Sequence, residues 1–215
     1  MKKYLPFAFL FATIISSAVS GQDAKYLAAM QRAVSMTDTS TTLESKRSAI
    51  MAFERIAASQ PKQWLPQYYM GWLHVMMSMQ VKINSEKDAM LDKALELTDK
   101  ADSLSRDNSE VYTLRSFALS MKIAVDPSRG QTLGIEAGIA ADHAIRLDPE
   151  NPRPYLIKGQ GAMYTPVQYG GGKEEALLLI EKSIEKFQNR PADPLLPHWG
   201  EKRANEVLNE LKNMD

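Results

Sequence analysis

From residue 43 onward, apolar residues recur at spacings of three and four, the period of a helix that buries one face. Leu43 to Ala58 carries Ala49, Ile50, Phe53, Ile56 and Ala57 on one side, and Ala89 to Leu104 carries Ala94, Leu97, Ala101 and Leu104. Ile135 to Leu147 and Ala176 to Phe187 follow the same rule. After Gly21 no segment of any length alternates apolar and polar positions as a half-buried strand would. The periodic stretches are separated by Pro, Asn, Asp and Gly clusters that stop helices: Gln60-Pro61, Arg106-Asp107-Asn108, Asp126-Pro127-Ser128, Asp148-Pro149-Glu150-Asn151-Pro152 and Gly170-Gly171-Gly172. The pattern predicts roughly eight to nine helices and little else.

The helices also repeat one another. Four carry a small residue followed two turns later by another small or aliphatic one: Ala49 and Ile56, Ala94 and Ala101, Ala137 and Ala144, Ala176 and Ser183. Small side chains on one face let neighbouring helices approach closely. A constant step forward from Ile56, Ala101 and Ala144 lands on Gly71, Ser116 and Gly159. Each is small and lies inside the next apolar segment. One helical turn before them stand Gln67 beside Tyr68, then Tyr112, then Tyr155.

On these residues the chain resembles the tetratricopeptide repeat (TPR) family over about residues 23 to 187. Tyr112 with Ser116 and Tyr155 with Gly159 look like the aromatic and small positions of helix A of a repeat. Ala94 with Ala101 and Ala137 with Ala144 look like the paired alanines of helix B, and Pro61 and Pro149 like the proline between repeats. Ala144-Ile145-Arg146-Leu147-Asp148-Pro149 is similar to the usual ending of helix B. The resemblance implies an all-α, right-handed helical-hairpin solenoid of about four repeats. The C-terminal amphipathic segment, with Ala204, Val207, Leu208 and Leu211 on one side, would cap the stack. The period departs from the usual ~34 residues: Gly71, Ser116 and Gly159 stand 45 and 43 apart. The extra residues are expected in the turns near Val81–Lys87, Val125–Leu133 and Thr165–Lys173. The first repeat, about Asp23 to Pro61, matches poorly.

The first twenty residues read differently. Lys2 and Lys3, an apolar run from Leu5 to Ile15, and Ala18-Val19-Ser20 make a secretory signal peptide, leaving residues 21–215 as one repeat domain. The run is too short for a bilayer span, which needs about 20 residues. The chain has no cysteine, which excludes a lipoprotein anchor and a disulfide framework. A periplasmic or secreted location follows. Basic and acidic residues balance at 26 each, so nothing resembles the footprint of a nucleic-acid binder.

Candidate chemistry is sparse. His74, His143 and His198 are the only histidines, and none stands in a metal-ligating spacing. His74 reads as a hydrogen-bonded packing residue, His143 as a solvated or interface residue, and His198 as part of a Pro-rich loop before Trp199. Gly170-Gly171-Gly172-Lys173 fails the phosphate-loop pattern, because Val167 and Glu174 stand where Gly and Ser or Thr belong. Its glycines read as a tight turn into a helix, with anion capture by free N–H groups as the weaker alternative. The expectation is therefore no enzyme, no metal and no cofactor.

What remains is a surface. The resemblance implies that the A helices line a concave face. Helical register from Gly71, Ser116 and Gly159 puts Tyr68, Trp72, Met76, Phe117, Met121, Gln160 and Tyr164 on it, with Arg153 near the rim. Such a lining is aromatic and rich in adaptable methionine, as suits a binding site. The alternative is a face filled by the first or last helix. Two functions fit: a non-catalytic module of the cell envelope that grips a protein segment or peptide, or a soluble receptor for a small apolar ligand, working alongside a transporter.

Overall fold

The computed structural model describes residues 16–191 and 193–214, with side chains from residue 23. Of the expected leader, residues 1–15 lie outside this range, and the first helix opens at Ser16, upstream of the expected cleavage point. Among the described residues there are nine α-helices and no strand. They are α1 (Ser16–Thr39), α2 (Leu43–Ser59), α3 (Leu65–Ser78), α4 (Asn84–Leu104), α5 (Ser109–Val125), α6 (Gly130–Leu147), α7 (Pro152–Ala162), α8 (Lys173–Asn189) and α9 (Glu201–Lys212). No helix among the described residues is long and apolar enough to cross a membrane.

Three helices, α2, α5 and α7, begin at a residue whose side chain accepts from a free N–H group of the first turn. Thr42 and Ser45 form a reciprocal capping box on α2. Asn108 accepts from the Glu110 N–H at 3.0 Å on α5, and Asn151 accepts from the Arg153 N–H at 3.1 Å on α7. Asp107, with φ 56°, turns the chain between α4 and α5.

Every helix packs on its successor, giving the hairpins α1/α2, α3/α4, α5/α6 and α7/α8, with α9 against α8. Across hairpins, α3 touches α5 and α5 touches α7, so the odd-numbered helices form one row backed by the even-numbered ones. This is the expected solenoid of about four hairpins plus a cap. The small residues lie at the contacts. Ala94, Ala101, Ala144, Ala176 and Ser183 are fully buried. A Cβ on Gly71 would sit 3.3 Å from the Ala94 carbonyl oxygen and 3.2 Å from Leu114 Cδ2. One on Gly159 would sit 2.7 Å from Ile180 Cδ1, so α7 and α8 touch there nearly backbone to side chain.

Two expectations need correction. The turns near Val81–Lys87 and Val125–Leu133 are shorter than their spacing suggested. α4 already starts at Asn84, and a 3₁₀ turn at Pro127–Arg129 leads directly into α6 at Gly130. The added residues lengthen helices, because no Gly or Pro between Asn84 and Leu104 stops α4 from growing backward. Of these three turns, only the one after α7 is long. There, the N–H groups of Gly170, Gly171 and Gly172 donate to the carbonyls of Val167, Pro166 and Ala162 at 3.0, 3.3 and 2.9 Å. All three are used internally, so the glycines make a turn and not an anion site. A Cβ on Gly171 would fall 2.0 Å from the Thr165 carbonyl oxygen, which makes glycine necessary.

Candidate functional site

The face formed by the odd-numbered helices is crossed by the chain itself. Between α8 and α9, residues 193–200 run as an irregular strap. Pro194 and Pro197 forbid a helix here. Asp193 opens the strap by accepting the N–H groups of Leu195 and Leu196 at 2.8 and 3.2 Å. Gly200 ends it with φ 114°, where a Cβ would strike the Phe187 ring at 2.8 Å.

Three ties hold the strap down. The Tyr69 hydroxyl donates to the Leu195 carbonyl at 2.8 Å. The Trp199 indole N–H donates to the Tyr68 hydroxyl at 2.9 Å. Arg153 donates Nε to the Trp199 carbonyl at 3.0 Å and Nη2 to the Pro197 carbonyl. The third guanidinium nitrogen, Nη1, donates to Glu110 Oε1 at 2.8 Å, and Arg190 donates to the same oxygen at 2.9 Å. Burial pushes the Glu110 carboxyl up from its usual range, while Arg153 and Arg190 pull it back down.

Trp199 fills the middle of the face. Its ring stacks on Phe117 at 5.7 Å between centroids and on Trp72 at 6.4 Å, with interplanar angles of 26° and 29°. The face is therefore filled at its centre by the segment before the last helix, rather than by a terminal helix. This corrects several candidate residues. Tyr68 and Arg153, expected on the lining and the rim, are 0% and 1% exposed and form the floor beneath the strap. Phe117 is covered by Trp199. Met121 packs half-buried against the core of the first three hairpins. Gln160 is half-buried on α7. Tyr164 is 84% exposed on the turn after α7, because α7 ends at Ala162 and the chain has left the helical register. His74 Nδ1 is buried without a hydrogen-bond partner, so its expected hydrogen bond is absent there. His143 meets the Tyr112 ring edge-on at 4.3 Å.

Trp72 and Met76 do line an open cleft, which lies between α1, α2, α3 and the strap and has a volume of about 720 Å³. Its apolar wall is Trp72, Met76, Met79, Tyr69 and Trp199, and its polar groups include Asp38, Lys46, Gln80 and His198. That volume lies inside the ~300–1,000 Å³ range of small-molecule sites, and the lining pairs an aromatic and methionine wall with a polar side that also includes Thr37 and Ser40. Lys46 is 6% exposed, and its ammonium donates to the Ser40 carbonyl at 2.8 Å. Burial lowers its pKa. Burial pushes the Tyr69 hydroxyl up, so it stays protonated at neutral pH. At the mouth, His198 Nε2 lies 2.8 Å from Asp38 Oδ1 and joins the strap to α1. A second crevice of about 440 Å³ lies beside Glu150, Lys186 and Arg190. Its cations are already paired, Lys186 with Glu150 and Arg190 with Glu110.

Sequence reasoning missed Asp38, Lys46, Tyr69, Met79, Gln80, His198 and Trp199. One signal was present: Lys46 precedes Ala49, Ile50 and Phe53 on the apolar face of α2. The strap residues carried none, since a Pro-rich loop has no period to read.

No family model matches the chain. No curated protein matches it either. Among solved structures, it is similar to the HusA haemophore from Porphyromonas gingivalis, with 33% identity and a TM-score of 0.79. The match covers 91% of this chain and 98% of that one.

Proposed function

The chain belongs to the HusA haemophore family, and from that premise we propose that it is a non-catalytic carrier of haem or a closely related planar tetrapyrrole, held in the cleft between α1, α2, α3 and the strap. The observation that carries this reading is the character of the cleft in a chain that matches a haemophore over nearly its whole length. A tetrapyrrole has two flat apolar faces and, in haem, two carboxylates. Trp72 and Trp199 offer aromatic surfaces, and Met76 and Met79 offer adaptable, polarizable ones. Lys46 is the one Lys or Arg among the lining residues and supplies a cation for a carboxylate. Carriage asks only for apolar burial and a few orienting groups.

A peptide held along the concave face is less well supported, because residues 193–200 and the Trp199 ring already occupy the centre of that face. The basic start and apolar run of the first twenty residues support release outside the cytoplasm, where a haem carrier would work.

Absorbance titration of the purified chain with ferric haem tests the proposal. Saturation at about one haem per chain, with a Kd below about 1 µM, is expected. Absence of saturable binding would remove the reading.

A further inference from the structure

We infer that Lys46 receives an ionised carboxylate of the bound tetrapyrrole on the buried side of the cleft, so that the site selects free acids over their esters. The inference rests on the carrier reading above. It adds the orientation of the ligand and the residue that sets selectivity.

Lys46 is a buried cation without an anion. It lies on the apolar face of α2 with Ala49, Ile50 and Phe53, and it is 6% exposed. An ammonium has three N–H donors. Among the described residues one partner takes them up, the Ser40 carbonyl just past the end of α1, at 2.8 Å. Lys46 forms no ion pair among the described residues. Burial lowers its pKa, and no carboxylate opposes that shift.

Bracing the end of α1 does not account for the charge. The carbonyls at a helix C-terminus carry only about half an elementary charge, and the effect at a helix end is modest. Burying an unmatched charge is costly, and an unbranched apolar side chain would fill the same space at less cost. An anion delivered by a ligand would supply the missing partner and use the idle donors. A charge-assisted hydrogen bond of that kind is among the stronger polar contacts a protein makes.

The other charges in the cleft fix the direction. Asp38 is the one acid among the lining residues, and its Oδ1 is turned to His198 Nε2 at 2.8 Å rather than to Lys46. The Asp38 and His198 side chains are 48% and 51% exposed. The acid therefore stands at the mouth and the cation on the buried side. A carboxylate left at the mouth would face Asp38, whereas one carried inward meets Lys46. Trp72, Met76, Met79 and Trp199 remain to cover the ring.

The test follows tryptophan fluorescence of the full chain during titration with protoporphyrin IX and with its dimethyl ester, in the same fraction of dimethyl sulfoxide. The wild type should bind the diacid at least about tenfold more tightly than the ester. Lys46→Met should weaken the diacid by a similar factor and leave the ester unchanged, and Lys46→Arg should keep most of the preference. Lys46→Gln, which keeps a donor but no charge, replaces Lys46→Met if circular dichroism shows that variant unfolded. Equal affinity of the wild type for acid and ester would overturn the assignment and leave the carrier reading standing. So would equal weakening of both ligands in Lys46→Met, the result of a purely structural role. Failure of the wild type to bind either compound would overturn both.

Discussion

Arg153 and Glu110 form a buried pair, Nη1 to Oε1 at 2.8 Å, that links α7 to α5 and carries the strap on the guanidinium's remaining nitrogens. Removing one partner leaves the other charge buried and unmatched. Glu110→Ala should therefore lower stability by about 3–5 kcal/mol. Glu110→Gln keeps an acceptor for Arg153 and should cost less. Urea denaturation measures both, and limited proteolysis should cut Glu110→Ala faster than wild type within residues 193–200.

Trp199 connects the strap to the odd-numbered helices by two stacks and one hydrogen bond. Trp199→Ala loses all three and should cost about 2–4 kcal/mol, less than for a fully enclosed ring. Trp199→Phe retains an aromatic ring but leaves the Tyr68 hydroxyl without its donor, at a cost of about 1 kcal/mol. Chemical denaturation gives the ranking. A Trp199→Ala variant as stable as wild type would show that the strap is not anchored through this ring.

Gly159 and Gly161 sit two positions apart on α7 but should respond in opposite directions. At Gly159 a methyl group would press on Ile180, whose side chain is fully buried and has little room to move. Gly159→Ala should cost about 1–3 kcal/mol from overpacking, partly offset by helix propensity. At Gly161 nothing lies within 4 Å, so Gly161→Ala should gain about 0.5–1 kcal/mol. Thermal unfolding of the two variants distinguishes them.

Asp88 gives a pH signature. Hydrogen bonds from Arg129 at 2.5 and 2.8 Å hold its carboxyl below the usual range, with the charges of Arg129 and Lys122 helping and desolvation opposing. A depressed pKa means the native state binds fewer protons than the unfolded chain. The contribution is thus complete above the ordinary Asp value of about 3.9 and is lost as pH falls through the native value. The stability difference between wild type and Asp88→Asn should be constant near neutrality and shrink below about pH 4. A difference that stayed constant down to pH 2 would contradict this.

The stack of hairpins was legible because small residues at helical contacts leave a periodic trace. Gly71, Ser116 and Gly159 were located by spacing alone, and all three are buried in the fold. Helical register also identified Trp72 and Met76 as lining, since both stay within α3. The strap was not legible. Whether residues 193–200 lie over the concave face depends on Arg153, Tyr68 and Tyr69, which are between 40 and 132 positions away in sequence. Register reasoning placed Tyr68 on the concave face and Arg153 near its rim. It could not reveal that another segment covers them. Tyr164 was misplaced for a local reason, the end of α7 two residues earlier.

The most direct measurement is tryptophan fluorescence during haem titration, comparing wild type with the cleft pair Trp72→Ala/Met76→Ala and with Ile135→Ala/Ile139→Ala, which alters two exposed residues of α6. Haem bound against Trp199 should quench its emission and saturate near one equivalent. The cleft pair should weaken binding by about tenfold or more, as loss of a well-packed aromatic anchor does, while the α6 pair should match wild type. Equal affinity in all three proteins would place the ligand elsewhere and contradict the account.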